Sequence, residues 1–217
     1  MFIDKISGHT LTDYHEAVKA APKKLQDVVQ NANTAIQAIN KKNEQAHKNF
    51  KDGYWTQKSL NETIEQCRAE ARATEEAASE SIKAILEEVH TAEAWSLTVN
   101  PEALDVSATQ FLQVVTLSKE EYINLANKYA KENYTSYRLV LSQAEAHGAR
   151  LTDAVNIHRK QLNTALDTFA QYCMNNVLKF GENETPYTQS WGAVVVKFAE
   201  PLINCDKSEI VVDSVIE

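Results

Sequence analysis

From Val18 to Phe50, apolar or small residues recur at alternating steps of three and four. They are Val18, Ala21, Leu25, Val28, Ala32, Ala35, Ile39, Ala46 and Phe50, with only the slot near Asn43 filled by a polar residue. The same rhythm returns from Leu60 to Ala92 through Ile64, Cys67, Ala71, Thr74, Ala78, Ile82, Ile85 and Val89. That period places one residue in each turn on the same helical face and cannot be satisfied by a strand. Asp52-Gly53 separates the two runs, and Gly is the residue that most readily supplies a turn. The pattern predicts a mainly α chain built on a long antiparallel helical hairpin over residues 12–95. Pro22 removes one backbone donor, so a break or kink is expected near Ala21. The middle of the second run is small (Cys67, Ala71, Thr74, Ala78), which lets two helices approach closely.

Five glycines and four prolines in 217 residues leave few places to interrupt a helix. A connector follows at 96–117, opened by Asn100-Pro101-Glu102, a cap with a first-turn proline and an acid placed to suit the helix dipole. Ser118-Lys-Glu-Glu121 is a capping box, and the apolar spacing after it predicts a third long helix over 118–179. Such a helix would be about 90 Å long at 1.5 Å per residue, so Gly148 is a natural site for a break. Residues 1–180 thus read as an elongated helical bundle or coiled coil. After Gly181 the texture changes. Trp191–Phe198 and Ile210–Val215 are rich in β-branched residues and are expected to form a small β element over 181–217. Residues 1–7 are available as a further strand.

The formal net charge of −8 disfavours nucleic acid and anionic membrane surfaces as partners. It is unevenly spread: residues 53–95 hold four basic and nine acidic side chains, and residues 12–52 hold seven basic and five acidic. Opposite charge suits the two helices as neighbours. Three cysteines far apart, no CxxC and a charged N-terminal stretch point to a reduced, cytoplasmic setting. No apolar run reaches the length of a membrane span.

Two Glu-x-x-His motifs, Glu44-Gln-Ala-His47 and Glu87-Glu-Val-His90, have the spacing found in carboxylate di-metal bundles, where both side chains of a motif face one ion. The hairpin argues against a shared site. A turn at Gly53 sets Glu44 level with Thr63, so the motifs lie ~36 Å apart along the axis. They are read as surface residues, and neither a metal nor another cofactor is expected. His158 sits in an apolar slot and reads as a packed histidine, with a pH-sensitive element as the sharper alternative. No nucleophile elbow, phosphate loop, dinucleotide fingerprint or HExxH is present, so no enzymatic activity is expected.

Tyr122, Tyr129 and Tyr137 are assigned to helix–helix or subunit contacts, and Trp191, Val195 and Phe198 to contacts of the β element. The expected function is that of a structural or assembly protein working through helical and β-edge contacts in a homo-oligomer or larger assembly. By general character alone it is comparable to phage or mobile-element virion and scaffold proteins, and so resident in the cytoplasm or in a virion. The alternatives are a membrane-active, pore-forming helical protein, using Phe111–Leu117 or Ala193–Phe198, and a metal-dependent bundle enzyme.

Overall fold

The computed structural model describes residues 11–185, 191–207 and 210–215. They form seven α-helices: α1 (Leu11–Lys51), α2 (Gln57–Ser96), α3 (Val106–Val114), α4 (Lys119–Glu132), α5 (Tyr134–Ala146), α6 (Ala154–Asn175) and α7 (Trp191–Ile203). Short 3₁₀ turns lie at Pro101–Ala103 and Cys205–Lys207. The chain divides into two compact units. Unit 1 takes the residues up to Ala20, Glu88–Ala165 and those from Pro201 onward. Unit 2 takes Ala21–Glu87 and Leu166–Glu200.

The hairpin of unit 2 is a long antiparallel pair of α1 and α2. Gly53 turns it at φ 78°, a backbone region that glycine enters without penalty. Thr56 opens α2, its Oγ1 accepting from the Ser59 amide at 3.2 Å. Cys67, Ala71, Ala78 and Ile82 are buried along α2 on the spacing read from sequence. On α1 the buried stripe runs Ala21, Leu25, Val29, Ala32 and Ile36. It therefore passes through Val29 and Ile36, one residue beyond Val28 and Ala35. A stripe at 3.6 residues per turn drifts against any fixed sequence step, and in an alanine-rich helix two neighbouring registers look alike.

Three expectations are corrected. First, no break falls at Pro22, which lies inside the single helix α1. Proline forfeits one hydrogen bond there, and burial of Val18, Ala21 and Leu25 around it holds the helix together. Secondly, the third long helix expected over 118–179 is three helices. Asn133 ends α4 and caps α5, its side chain accepting from the Ser136 amide. Gly148, at φ 80°, ends the next segment. The capping box at the start of α4 is complete, with Ser118 and Glu121 each bonding the other's backbone amide.

Thirdly, the expected β element does not form among the described residues. Trp191–Phe198 lies in helix α7. Helical spacing puts Trp191, Val195, Phe198 and Leu202 on one stripe, with Ala199 and Leu202 buried while Val196 is exposed. Burial of that stripe overrides the β preference of Val194, Val195 and Val196. Residues 210–215 are extended, but their β pairing is limited to one isolated antiparallel bridge between Leu151 and Ser214. The proposed strand at residues 1–7 lies outside the described residues.

Candidate functional site

The densest polar chemistry lies in unit 1. The first turns of α1 present Tyr14, His15 and Lys19, the end of α2 presents His90, Glu93 and Ser96, and α6 presents His158, Arg159 and Asn163. Tyr14 is fully buried and its hydroxyl donates to Asn163 Oδ1 at 2.9 Å. Asn163 Nδ2 in turn donates to Glu93 Oε2 at 2.9 Å. Glu93 also pairs with Arg159 at 3.1 Å and lies 3.3 Å from His90 Nδ1. The spacings follow from the helix: Glu93 is three residues beyond His90, and Asn163 four beyond Arg159, so each pair shares a face.

His15 and His158 stand edge to face, ring centroids 5.4 Å apart. The 3₁₀ turn at Cys205 closes over them. The Cys205 thiol donates to the His15 carbonyl, and Lys19 pairs with Asp206. Burial is the main cause of the shifts here. It holds the His15 imidazole down at about 4, with His158 and Lys19 adding to the effect and Asp206 opposing it. Burial also lowers His158, against the Cys205 carbonyl, which raises it. The Cys205 thiol is pushed up to about 11, and the Tyr14 phenol is raised by burial and by Glu93.

The tyrosines assigned to contacts are turned into unit 1. Tyr122 and Tyr137 are fully buried and Tyr129 nearly so. Their hydroxyls reach His147, Asp153 and Asp105 respectively. Burial and the Asp105 hydrogen bond push Tyr129 up to about 12. Trp191 stacks on Phe169 and Phe198 packs on Tyr172 within unit 2; Val195 is half-buried. Glu44, His47, Glu87 and His90 are all exposed. Among the described residues no group of three or more His, Cys, Asp and Glu side chains is placed to hold a metal ion. No helix among them is long and apolar enough to cross a membrane.

Unit 2 carries an open groove of about 480 Å³ between the hairpin helices. Val28, Asn31 and Ala32 line it from α1, and Ala73, Thr74, Ala77, Ala78 and Ser81 from α2. This register keeps Glu44 and Glu87 toward opposite ends of the hairpin. None of the lining side chains ionises.

No protein-family model, curated protein or solved structure matches this chain.

Sequence reasoning missed a recurring device. Three asparagines each grip the backbone of a non-helical segment with both ends of the carboxamide. Asn33 donates to the Asn176 carbonyl at 2.9 Å and accepts from the Leu178 amide at 2.7 Å. Asn40 donates to the Glu182 carbonyl at 2.8 Å and accepts from the Gly181 amide at 2.9 Å. Asn127 holds both backbone groups of Val212. A signal was present for the first two: Asn33 and Asn40 are seven residues apart, flanking the apolar stripe of α1, where an uncharged amide facing inward needs a partner.

Proposed function

We propose that this is a non-enzymatic structural or assembly protein, acting through helical protein–protein contacts, and that the groove of unit 2 is its working surface. The observation that carries the reading is the groove itself: open, lined by alanine, serine, threonine, valine and asparagine, with no ionisable side chain to serve as general acid or base or to activate the Thr74 and Ser81 hydroxyls. Ala35, Ala38, Ala69 and Ala84 add further small exposed positions on the two helices. Such a face accepts another helix at short range. The polar network of unit 1 supports the same reading, because Tyr14, Glu93 and His158 are enclosed by their own chain rather than offered to a substrate.

The partner that fits is a second copy. Residues 21–51 hold six lysines against two acids, and residues 57–87 hold four basic against seven acidic side chains. A two-fold arrangement that lays α1 of one copy along α2 of the other brings unlike charges together on both sides. The β-edge contacts expected from sequence have no strand to act through among the described residues, so the helical contacts alone carry the proposal. A phage or mobile-element virion or scaffold, or the cytoplasm in which one is built, is the setting proposed.

Size-exclusion chromatography with light scattering tests the reading. The wild type should give a dimer or larger species that Ala77→Arg reduces to a monomer with unchanged helical circular dichroism. A wild-type chain that stays monomeric at high concentration removes the proposal.

A further inference from the structure

His15 and His158 are each 8% exposed, and the Nε2 atom of each is buried without a hydrogen-bond partner among the described residues. An unpaired buried polar atom needs an explanation. The Cys205 backbone favours a proton on the His158 ring, but a neutral imidazole still carries a lone pair on one of its two nitrogens. An imidazole nitrogen that faces apolar surroundings as a lone pair costs less than the same atom as a charged N–H. Protonating either ring therefore puts a cation where no acceptor stands among the described residues, beside a second imidazole 5.4 Å away.

The surrounding charges do not relieve it. From α1, Tyr14 lies 5.9 Å from the His15 ring, and Lys19 is a cation. From the 3₁₀ turn, the Asp206 carboxylate acts on His15 but is already engaged by Lys19, while Cys205 is a buried thiol. From α2 and α6, the Glu93 carboxylate is shared among His90, Arg159 and Asn163. The element these rings face is the turn at Cys205–Lys207. It is bound to α1 by the Cys205 thiol and Lys19–Asp206, and its Cys205 backbone acts on the His158 ring of α6.

We propose that the His15–His158 pair is an acid-sensitive latch, which holds the Cys205–Lys207 turn onto α1 and α6 when neutral and releases it when either ring takes a proton. Folding lowers the affinity of His15 for its proton. The closed form is thus fully favoured above the unfolded value of 6.5 and loses ground as the pH falls toward about 4. For His15 alone the closed-to-open ratio drops roughly thirty-fold between pH 7.5 and pH 5. Release bares Cys205, which is fully buried when closed. The latch does not depend on the assembly reading: it belongs to unit 1 and operates in a monomer.

The test is thiol labelling of the full chain with a disulfide reagent active in acid, read by peptide mass spectrometry. Cys173, fully buried in unit 2, serves as the internal reference for global unfolding. Cys205 labelling relative to Cys173 should rise roughly thirty-fold from pH 7.5 to pH 5. His15→Gln and His158→Gln should each blunt the rise. An unchanged ratio, or a rise that survives in both variants, overturns the latch. Should the variants not fold, NMR titration of the wild-type imidazoles decides. Rings that stay neutral to pH 5 while Cys205 is protected support the latch; a ring that protonates near pH 6.5 with Cys205 still protected overturns it.

Discussion

Replacing Asn40 by alanine should destabilise the chain by about 3 kcal/mol, and the figure follows from what the carboxamide does. Asn40 is 4% exposed and makes two hydrogen bonds, one to the Glu182 carbonyl at 2.8 Å and one from the Gly181 amide at 2.9 Å. Each intramolecular bond contributes roughly 1 kcal/mol net. Alanine cannot replace either, and it leaves a backbone donor and acceptor beside a small void. A partly buried group without its partner adds about 1 kcal/mol more. Asn40→Asp separates the two ends of the clamp. The carboxylate still accepts from Gly181 but sets a negative charge against the Glu182 carbonyl, so at pH 7 it should be at least as damaging as alanine. Protonation of the new carboxyl supplies a donor, and the deficit relative to wild type should shrink below about pH 4. The assay is urea unfolding followed by circular dichroism at both pH values, with hydrogen exchange at the Gly181 amide. A loss below about 0.5 kcal/mol for Asn40→Ala, or Gly181 protection equal to wild type, would refute the clamp as a source of stability.

Other substitutions probe separate features. Asn133→Ala removes the cap of α5 and the bond from Asn133 Nδ2 to the Ala103 carbonyl; thermal denaturation should report a loss of about 1–2 kcal/mol. Gly148→Ala meets no atom within 4 Å but keeps φ 80°, so chemical denaturation should show a cost of about 1 kcal/mol from the backbone alone, and less for Gly148→Asn. Glu93→Gln leaves Arg159 without its anion. Because Arg159 is about a third exposed, the loss in urea unfolding should be about 2 kcal/mol, below that of a fully buried pair. Asn127→Ala frees Val212 from both of its carboxamide bonds, and hydrogen exchange at the Val212 amide should accelerate at least tenfold, the equivalent of about 1.4 kcal/mol.

The hairpin was legible because its signal is long: ten core slots on α2 agree on one period, and Gly53 stands where the turn requires positive φ. The capping box at Ser118 was legible because both partners lie within four residues. What failed to show was decided by tertiary contact. The residues of α7 favour a strand locally, and only packing of Trp191 on Phe169 and Phe198 on Tyr172 selects the helix. The break at Asn133 depends on Ala103, thirty residues away. The tyrosines were recognised as contact residues, but sequence spacing cannot tell a contact inside the fold from one between subunits. Their buried hydroxyls, each satisfied by an unlike partner, place these residues inside. The pairing of His15 with His158 did not show, because the two lie far apart in sequence.

The polar residues that face inward also solve a problem the apolar pattern creates. Part of the buried stripe of α1 is alanine (Ala21, Ala32 and Ala46), and small groups distinguish one register from the next less sharply than Leu25, Val29 and Ile36 do. Asn33 and Asn40 remove that ambiguity. They are seven residues apart, about 10.5 Å of helical rise. The backbone groups they hold run from Asn176 and Leu178 to Gly181 and Glu182, some four residues of open chain, which can span up to ~14 Å. That reach is enough to cover the separation of the two asparagines. A slip of one helical turn, about 5.4 Å, would break all four bonds together, at roughly 1 kcal/mol each before any group is left stranded. Burial of small side chains then supplies the drive to pair, and the carboxamides select which pairing is kept.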